Sequence, residues 1–263
     1  MGSTLSPAER QRYEREGFAL PFAVLEPAEV ATYKQAFEQL EPQLVAAGVK
    51  PPHAQCHLHF RWAHELATHP AVLDLVEELI GPDILVHSTT IFAKQPRHPG
   101  FVSWHQDAHN WKLDEPRLVS AWVALTPSTV ENGCMRAIPG SHKQRLPHAV
   151  RPHPDNMLRL TGLHVELEID EAEAVDFVLQ PGQMSLHHAD VVHGSNPNDS
   201  DGWRIGFATR YVATDVRQST PHHEVVLARG RDVHGHYKQL AQAPSADTES
   251  GVAAHAAFWA RRR

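Results

Sequence analysis

The sequence predicts a mainly β fold, a sandwich or barrel, standing behind an N-terminal helical layer. Three observations lead there. Helix start and stop signals crowd the chain before about residue 82, whereas from Asp83 onward short apolar runs alternate with turn signals. No internal repeat, low-complexity tract or linker divides the 263 residues, so one domain is expected over 1–263. Within it the expected parts are a helical preface (about 1–82), a β core (about 83–213) and a C-terminal extension (about 214–263).

The elements follow in order. Ser6-Pro7-Ala8-Glu9 reads as a capping box, with Ser6 at the N-cap, proline at the first helical position and Glu9 reaching back. A second helix starts at Pro27 and carries Tyr33, Phe37 and Leu40 towards Gly48, before Pro51-Pro52 breaks it. A third, from about Pro70 to Ile80, has Val72, Leu75, Val76 and Leu79 at helical spacing and stops at Gly81-Pro82. The β-like runs are 84–93, 118–125, 134–138 after the Asn132-Gly133 turn, 174–179 before Pro181-Gly182, 184–188 and 204–212. Residues 140–161 hold Pro, His and Arg without apolar periodicity, a stretch long for a loop, and read as a lid or pocket wall.

Composition narrows the function classes. Hydrophobic residues at 41% and charged residues at 21% give an ordinary globular balance rather than a disordered one. A net charge of −7 disfavours nucleic acid and anionic membrane as partners, since both require a basic face. No apolar run is long enough to span a bilayer and no signal peptide is evident, so the cytoplasm is the expected compartment. Two cysteines, Cys56 and Cys134, are too few for a disulfide framework or a Cys-rich zinc site. The 21 histidines invite a metal hypothesis and also raise the chance background of every histidine motif.

A His-x-Asp pair in a strand puts both side chains on one face, because strand side chains alternate. With one histidine from a facing strand, such a pair caps three positions of an octahedral metal and leaves the others open, the arrangement of non-heme iron(II) oxygenases. Three triplets fit: 105–107, 153–155 and 188–190. Roughly one is expected from composition alone. His153-Pro154-Asp155 lies in the lid, where proline interrupts any strand, and reads as solvated loop. His188-Ala189-Asp190 follows an apolar strand and is a rival, though Val191-Val192 continue it poorly. His105-Gln106-Asp107 ends the Phe101-Val102-Ser103-Trp104 run, where a strand would present it. The far end decides. His193-Gly194-Ser195 is followed, eleven positions after the histidine, by Arg204 at the head of a β-like strand. A guanidinium is a planar fork that matches a carboxylate and stays charged when buried, so it suits the far carboxylate of a dicarboxylate chelating the metal.

These residues also carry a family likeness. The span Val102 to Tyr211 resembles the phytanoyl-CoA dioxygenase family of iron(II)/2-oxoglutarate oxygenases through 104–107 (WHQD), 121–125 (AWVAL), 131–135 (ENGCM), 138–142 (IPGSH), 182–188 (GQMSLHH), 193–195 (HGS) and Arg204. The resemblance implies a double-stranded β-helix, the cupin-like jelly-roll barrel, with Fe(II) at its open end, 2-oxoglutarate as co-substrate and O2 as oxidant. By position His105, Asp107 and His193 would be the metal ligands and Arg204 would bind the distal carboxylate. Thr90, Trp122 and Ser195 fall where family members line the co-substrate pocket. The implied reaction hydroxylates an unactivated C–H bond of a small molecule, a specialised metabolite being one candidate, while 2-oxoglutarate becomes succinate and CO2. Ring closure and desaturation are alternative outcomes in the same family. Related halogenases replace the carboxylate ligand with a small residue, so Asp107 disfavours halogenation.

Other residues are weighed against plainer readings. Gln106, Asn110, Trp111 and His57 are candidate substrate contacts; for Trp111 pocket packing competes, and for His57 and His59 an exposed pair. Gln106, between two ligands, is expected to face away from the metal and hydrogen-bond behind it. His188 reads first as a satisfied buried histidine, and Lys94 as a strand-end charge. His222, His223, His234 and His236 read as solvated, and Arg145, Arg151 and Arg159 as a charged loop rather than an anion site. Two other classes are considered: a zinc hydrolase with an open water position, which gives Arg204 no purpose, and a non-catalytic jelly-roll binding protein, which needs no intact triad.

Overall fold

The computed structural model describes residues 4–111, 113–114, 117–158, 162–219, 224–245 and 248–261. Helix α1 (Pro7–Glu16) begins at the capping box: Ser6 accepts from the Glu9 amide and the Glu9 side chain reaches back to Ser6. Gly17, at φ 85°, ends it in the left-handed conformation that favours glycine. Strand β1 (Phe18–Ala23) follows, so the N-terminal region contributes a strand as well as helices. Helix α2 (Pro27–Ala46) buries Val30, Tyr33, Phe37, Leu40 and Leu44 along one face, and β2 (His53–Ala54) is a short addition. Helices α3 (Arg61–Ala67) and α4 (Pro70–Ile80) complete the layer; α4 buries Val72, Leu73, Leu75, Val76 and Ile80.

The β region runs through β3 (Ile84–Lys94), β4 (Val102–His105), β5 (Leu118–Ala124), β6 (Met135–Ala137), β7 (His148–Val150), β8 (Leu163–Val165), β9 (Val175–Asp176), β10 (Gln183–His188), β11 (His193–Ser195), β12 (Arg204–Ala213) and β13 (Val226–Arg229), before helix α5 (Thr248–Ala260). A large antiparallel sheet has the order β1-β10-β5-β12-β3-β13, with β2 beside β3; a smaller one has the order β4-β11-β6-β9; β7, inside the expected lid, pairs with β8 just beyond it. The protein is therefore a jelly roll of two facing sheets with flanking helices. The described strands stay in separate sheets rather than closing into one barrel.

The central strands β3 and β12 are buried on both faces, β12 throughout and β3 at all but Thr90, although each carries polar residues among its apolar ones. One face of β12 packs on the helical layer: Phe207 lies 6.1 Å from Trp62 and Tyr211 donates to the Ala67 carbonyl at 2.8 Å. The alternate residues Arg204, Gly206, Ala208 and Arg210 face the small sheet. Register places Lys94 opposite Arg204, Thr90 and Trp122 opposite Ala208, and Ser120 opposite Arg210. His187 stands opposite Ser120 on the next strand. Those cross-strand neighbours form the floor of the site. Among the described residues no helix is long and apolar enough to cross a membrane.

Candidate metal centre and co-substrate cavity

The small sheet supplies two histidines. His105 closes β4, His193 opens β11, and the two are direct partners across the antiparallel pair. Their rings therefore share a face, with centroids 4.2 Å apart. Each Nδ1 lies against a main-chain carbonyl two residues back, Ser103 at 2.9 Å and Val191 at 3.0 Å. A carbonyl only accepts, so both Nδ1 atoms carry the proton and both Nε2 atoms present lone pairs. Burial, with His105 adjacent, pushes the His193 imidazole well below its usual range and keeps it neutral.

Asp107 arrives by a different route from the one expected. The strand ends at His105, and Asp107 opens a 3-10 turn (Asp107–Asn110). Gln106 between them is still extended, φ −113° and ψ 125°, so alternation returns Asp107 to the histidine face. Its Oδ1 lies 3.4 Å from His105 Nε2. Its Oδ2 accepts from Ser120 Oγ at 3.1 Å and from Arg210 Nε at 3.2 Å. Burial opposes the charged carboxylate more than any single neighbour favours it, but the Arg210 guanidinium together with His105 and His193 outweighs burial and holds the group well below the usual carboxylate range. One donor atom from each of His105, Asp107 and His193 lies within 4.8 Å of the others; among the described residues this is the one such cluster.

A cavity extends from these groups along the large sheet, lined by Phe92, Trp122, Met135, Ser195 and Arg204 as well as His105 and His193. Arg204 is 2% exposed and its guanidinium lies over the Trp122 ring, 5.4 Å from the centroid. Burial lowers its pKa to about 10, so it remains charged at neutral pH. Its Nε and Nη2 have no hydrogen-bond partner among the described residues. Buried donors are normally paired, because an unmade hydrogen bond to a charged group is expensive. The chemistry these donors fit is an anionic acceptor, and a carboxylate matches the fork.

The other expected residues sort by position. Trp122 and Ser195 line the cavity. Thr90 is half-buried on the same floor, but its hydroxyl accepts from Arg210 Nη1 at 2.8 Å, so it braces that arginine. Gln106 is not a substrate contact: its Nε2 donates to the Gln144 and Asp190 carbonyls and its Oε1 accepts from the Leu146 amide, tying the lid to the β10–β11 loop. Trp111 is half-buried beside the site, with Arg210 6.0 Å from its ring centroid and His87 5.4 Å away. His57, rather than forming an exposed pair with His59, is fully buried and bonds Thr89 Oγ1 through Nδ1 at 2.9 Å. The side chain of Asn110 lies outside the described residues, as do Arg159, His222 and His223.

The rival triplets are not gathered. His188 turns outward towards Tyr13 and His142, and Nδ1 of His153 caps the Asp155 amide in an exposed turn. Sequence reasoning missed four groups. Ser120 and Arg210 fix Asp107; His187, not His188, faces the centre, its ring 4.9 Å from His193 and its pKa lowered to about 4 by burial. Lys94 is buried rather than a solvated strand end, and donates to Ser195 Oγ at 2.7 Å. Arg210 and Lys94 share strand faces with expected residues, so strict alternation from Arg204 and Thr90 is the signal that would have found them.

Comparison with known proteins agrees with this geometry. Human peroxisomal phytanoyl-CoA dioxygenase is 30% identical over 158 residues, 56% of this chain and 45% of that one. The chain spans about half the length of the curated relatives it first matches. Among solved structures, the apo form of the non-heme monooxygenase ThoJ superposes with a TM-score of 0.79 at 30% identity, covering 96% of this chain and 99% of that one. CytC3, solved with Fe(II) and alpha-ketoglutarate, gives a TM-score of 0.65 at 25% identity, covering 91% and 94%. The phytanoyl-CoA dioxygenase (PhyH) family profile matches residues 13–206, which contain the three clustered donors and Arg204, and the chain belongs to that family.

Proposed function

We propose that the protein is an iron(II)- and 2-oxoglutarate-dependent dioxygenase that hydroxylates an unactivated C–H bond of a small molecule. One observation carries this reading: two histidines and a buried guanidinium whose donors are unpaired among the described residues line one cavity, and Asp107 completes a cluster of metal donors with those histidines. His105, Asp107 and His193 hold the metal, and two imidazoles with one carboxylate are a donor set suited to Fe(II). Arg204 holds the distal carboxylate of 2-oxoglutarate, with Ser195 and Trp122 walling the pocket. When bound, the iron with 2-oxoglutarate and O2 supplies the oxidation, yielding succinate and CO2 and delivering one oxygen atom to the substrate.

The chain's own residues do the positioning. Main-chain carbonyls fix both imidazole tautomers, while Ser120 and Arg210 Nε donate to Asp107 Oδ2 and Arg210 Nη2 reaches Oδ1 at 3.5 Å, fixing the carboxylate with Oδ1 beside His105. Apolar side chains such as Phe92 and Met135 limit water in the cavity. A zinc hydrolase would leave the Arg204 donors without purpose. The test gives the purified protein Fe(II), ascorbate, 2-oxoglutarate and O2 and measures succinate against oxygen consumed, with His193→Ala as the control. Succinate from the wild type alone supports the proposal; no succinate, with tight zinc and hydrolytic activity, defeats it. A product heavier by one oxygen identifies hydroxylation, whereas loss of two hydrogens identifies ring closure or desaturation.

A further inference from the structure

Trp104 alternates with His105 along β4, so it faces away from the metal donors and into a second cavity. That cavity measures about 610 Å³, the size of a small-molecule site, and is bounded by β4, the end of β11 and the segment around β8. Val102 and Ser195, partners across β4 and β11, line both it and the co-substrate cavity. Main-chain bonds fasten the lid to the β4 edge: the Phe101 amide donates to the Asp155 carbonyl at 3.0 Å, and the Met157 amide to the Phe101 carbonyl at 2.8 Å. Asn156 Nδ2 adds a bond to Ser103 Oγ at 2.9 Å. The wall is thus held in place without a ligand.

Much of the lining is apolar. Along 165–170 apolar and acidic residues alternate: Val165, Leu167 and Ile169 line the cavity, whereas Glu166, Glu168 and Asp170 are exposed and do not. Such alternation turns one side of an extended segment towards an apolar partner. Yet Leu167 remains 51% exposed. Phe101 and Trp104 add aromatic rings to the lining, and a flat apolar body would cover what the chain leaves open.

The charged groups set the polarity. Glu171 is neutralised by Arg136 at 2.7 Å and also accepts from Trp104 Nε1 at 3.4 Å. Arg151, expected from the sequence to be a solvated loop charge, lines the cavity and has no carboxylate partner among the described residues. His153 Nδ1 accepts from the Asp155 amide at 3.1 Å, so its ring proton sits on Nε2 as a further donor. Both ring nitrogens of His164 are buried without a partner among the described residues. Donors are in excess, and the group they suit is an anion.

We propose that this cavity is a second binding site, separate from the metal centre, for a small molecule with a flat apolar body and a carboxylate. The body lies against Phe101, Trp104 and Leu167, and the carboxylate meets Arg151. The site stands whether or not the metal centre binds 2-oxoglutarate.

Isothermal titration of the full chain with 2-naphthoate, the neutral 2-naphthalenemethanol and the cation 2-naphthylmethylammonium tests this. Naphthoate should bind one to one, more tightly than the alcohol, with the cation weakest. Arg151→Ala should weaken naphthoate by about three- to tenfold, the worth of one partly exposed charge contact, and leave the alcohol unchanged. Leu167→Asp, which sets a charge in the apolar wall, should weaken both by about tenfold or more. Both positions are exposed, and an unchanged urea midpoint shows that each variant keeps its fold. Arg204→Ala, or saturation with Mn(II) and 2-oxoglutarate, should leave naphthoate affinity within about twofold of the wild type. No binding of naphthoate, equal loss of acid and alcohol in Arg151→Ala, or preference for the cation would overturn the assigned chemistry. Competition by 2-oxoglutarate, or loss of naphthoate binding in Arg204→Ala, would put the ligand in the co-substrate cavity and overturn the separate site.

Discussion

Arg204 and Arg210 lie on the same face of β12 and do different work. Arg210 is compensated within the chain by Asp107, whereas the Nε and Nη2 of Arg204 have no partner among the described residues. Arg204→Ala should therefore keep the metal and weaken 2-oxoglutarate by about 1.5–3 kcal/mol, as read by titration of metal-loaded protein. Unchanged affinity would remove Arg204 as the anchor. Arg210→Met leaves Asp107 with Ser120 as its hydrogen-bond donor, and metal affinity should fall by about 10–100-fold when the apoprotein is titrated with Mn(II) or Fe(II). The variant should also lose more stability without metal than with it, because the ion then replaces the missing positive charge. Equal losses in both states would show that Arg210 braces the sheet and not the carboxylate. At this scale the sequence revealed the donors through pattern: His-x-Asp, then His, then Arg at a fixed interval. It did not reveal Ser120 or His187, because their importance comes from cross-strand register. Neighbours in register are remote in sequence, and nothing local in the His187-His188 pair says which ring turns inward.

Strand β12 shows how an element makes room for a site. Gly206 has no side chain, and the Trp122 ring occupies the space: a Cβ at position 206 would stand 1.7 Å from Trp122 Cζ2. That ring in turn lies under the Arg204 guanidinium. Gly206→Ala should displace Trp122, destabilise the protein by about 1–3 kcal/mol in urea denaturation and weaken 2-oxoglutarate together with it. Gly202→Ala is the matched control. The nearest atom to its new Cβ would be 4.0 Å away, and its stability should stay within about 0.5 kcal/mol of the wild type. Wild-type stability in Gly206→Ala would mean that Trp122 has another place to go. Elements with their own local signals were legible: α1 through its capping box, α4 through helical spacing between Pro70 and Gly81, β3 and β12 through β-like runs bounded by turn signals. Strand β1 was not, because Pro21 interrupts its pattern, and proline is tolerated there at the edge of the sheet. Strand β11 has three residues and little pattern of its own; pairing with β4 and β6 makes it a strand.

Across the whole molecule, the histidine excess becomes a stability property as well as a metal site. His188 joins the β10 end to α1 and the lid through its packing on Tyr13 and His142, and His255 seats α5 against His59 and Phe60. Burial lowers the His188 imidazole to about 4 and that of His255 to about 3, against an ordinary value of 6.5. In the unfolded chain both rings take up protons near 6.5; in the folded protein they do so only near their lowered values. Between those limits the unfolded state binds more protons, so stability is complete above pH 6.5 and falls as the pH drops towards 4. Asp107 does not offset this loss. Its folded pKa is held below the ordinary 3.8, so its contribution is present throughout that window and is lost only at lower pH. The urea midpoint should therefore decline steadily between about pH 7 and pH 5, with a shallower slope in His255→Phe even where that variant is less stable at neutral pH. A midpoint independent of pH over this interval would mean that the buried rings keep their free affinity for protons, and that packing around α5 and the β10 end opens to water in the folded protein.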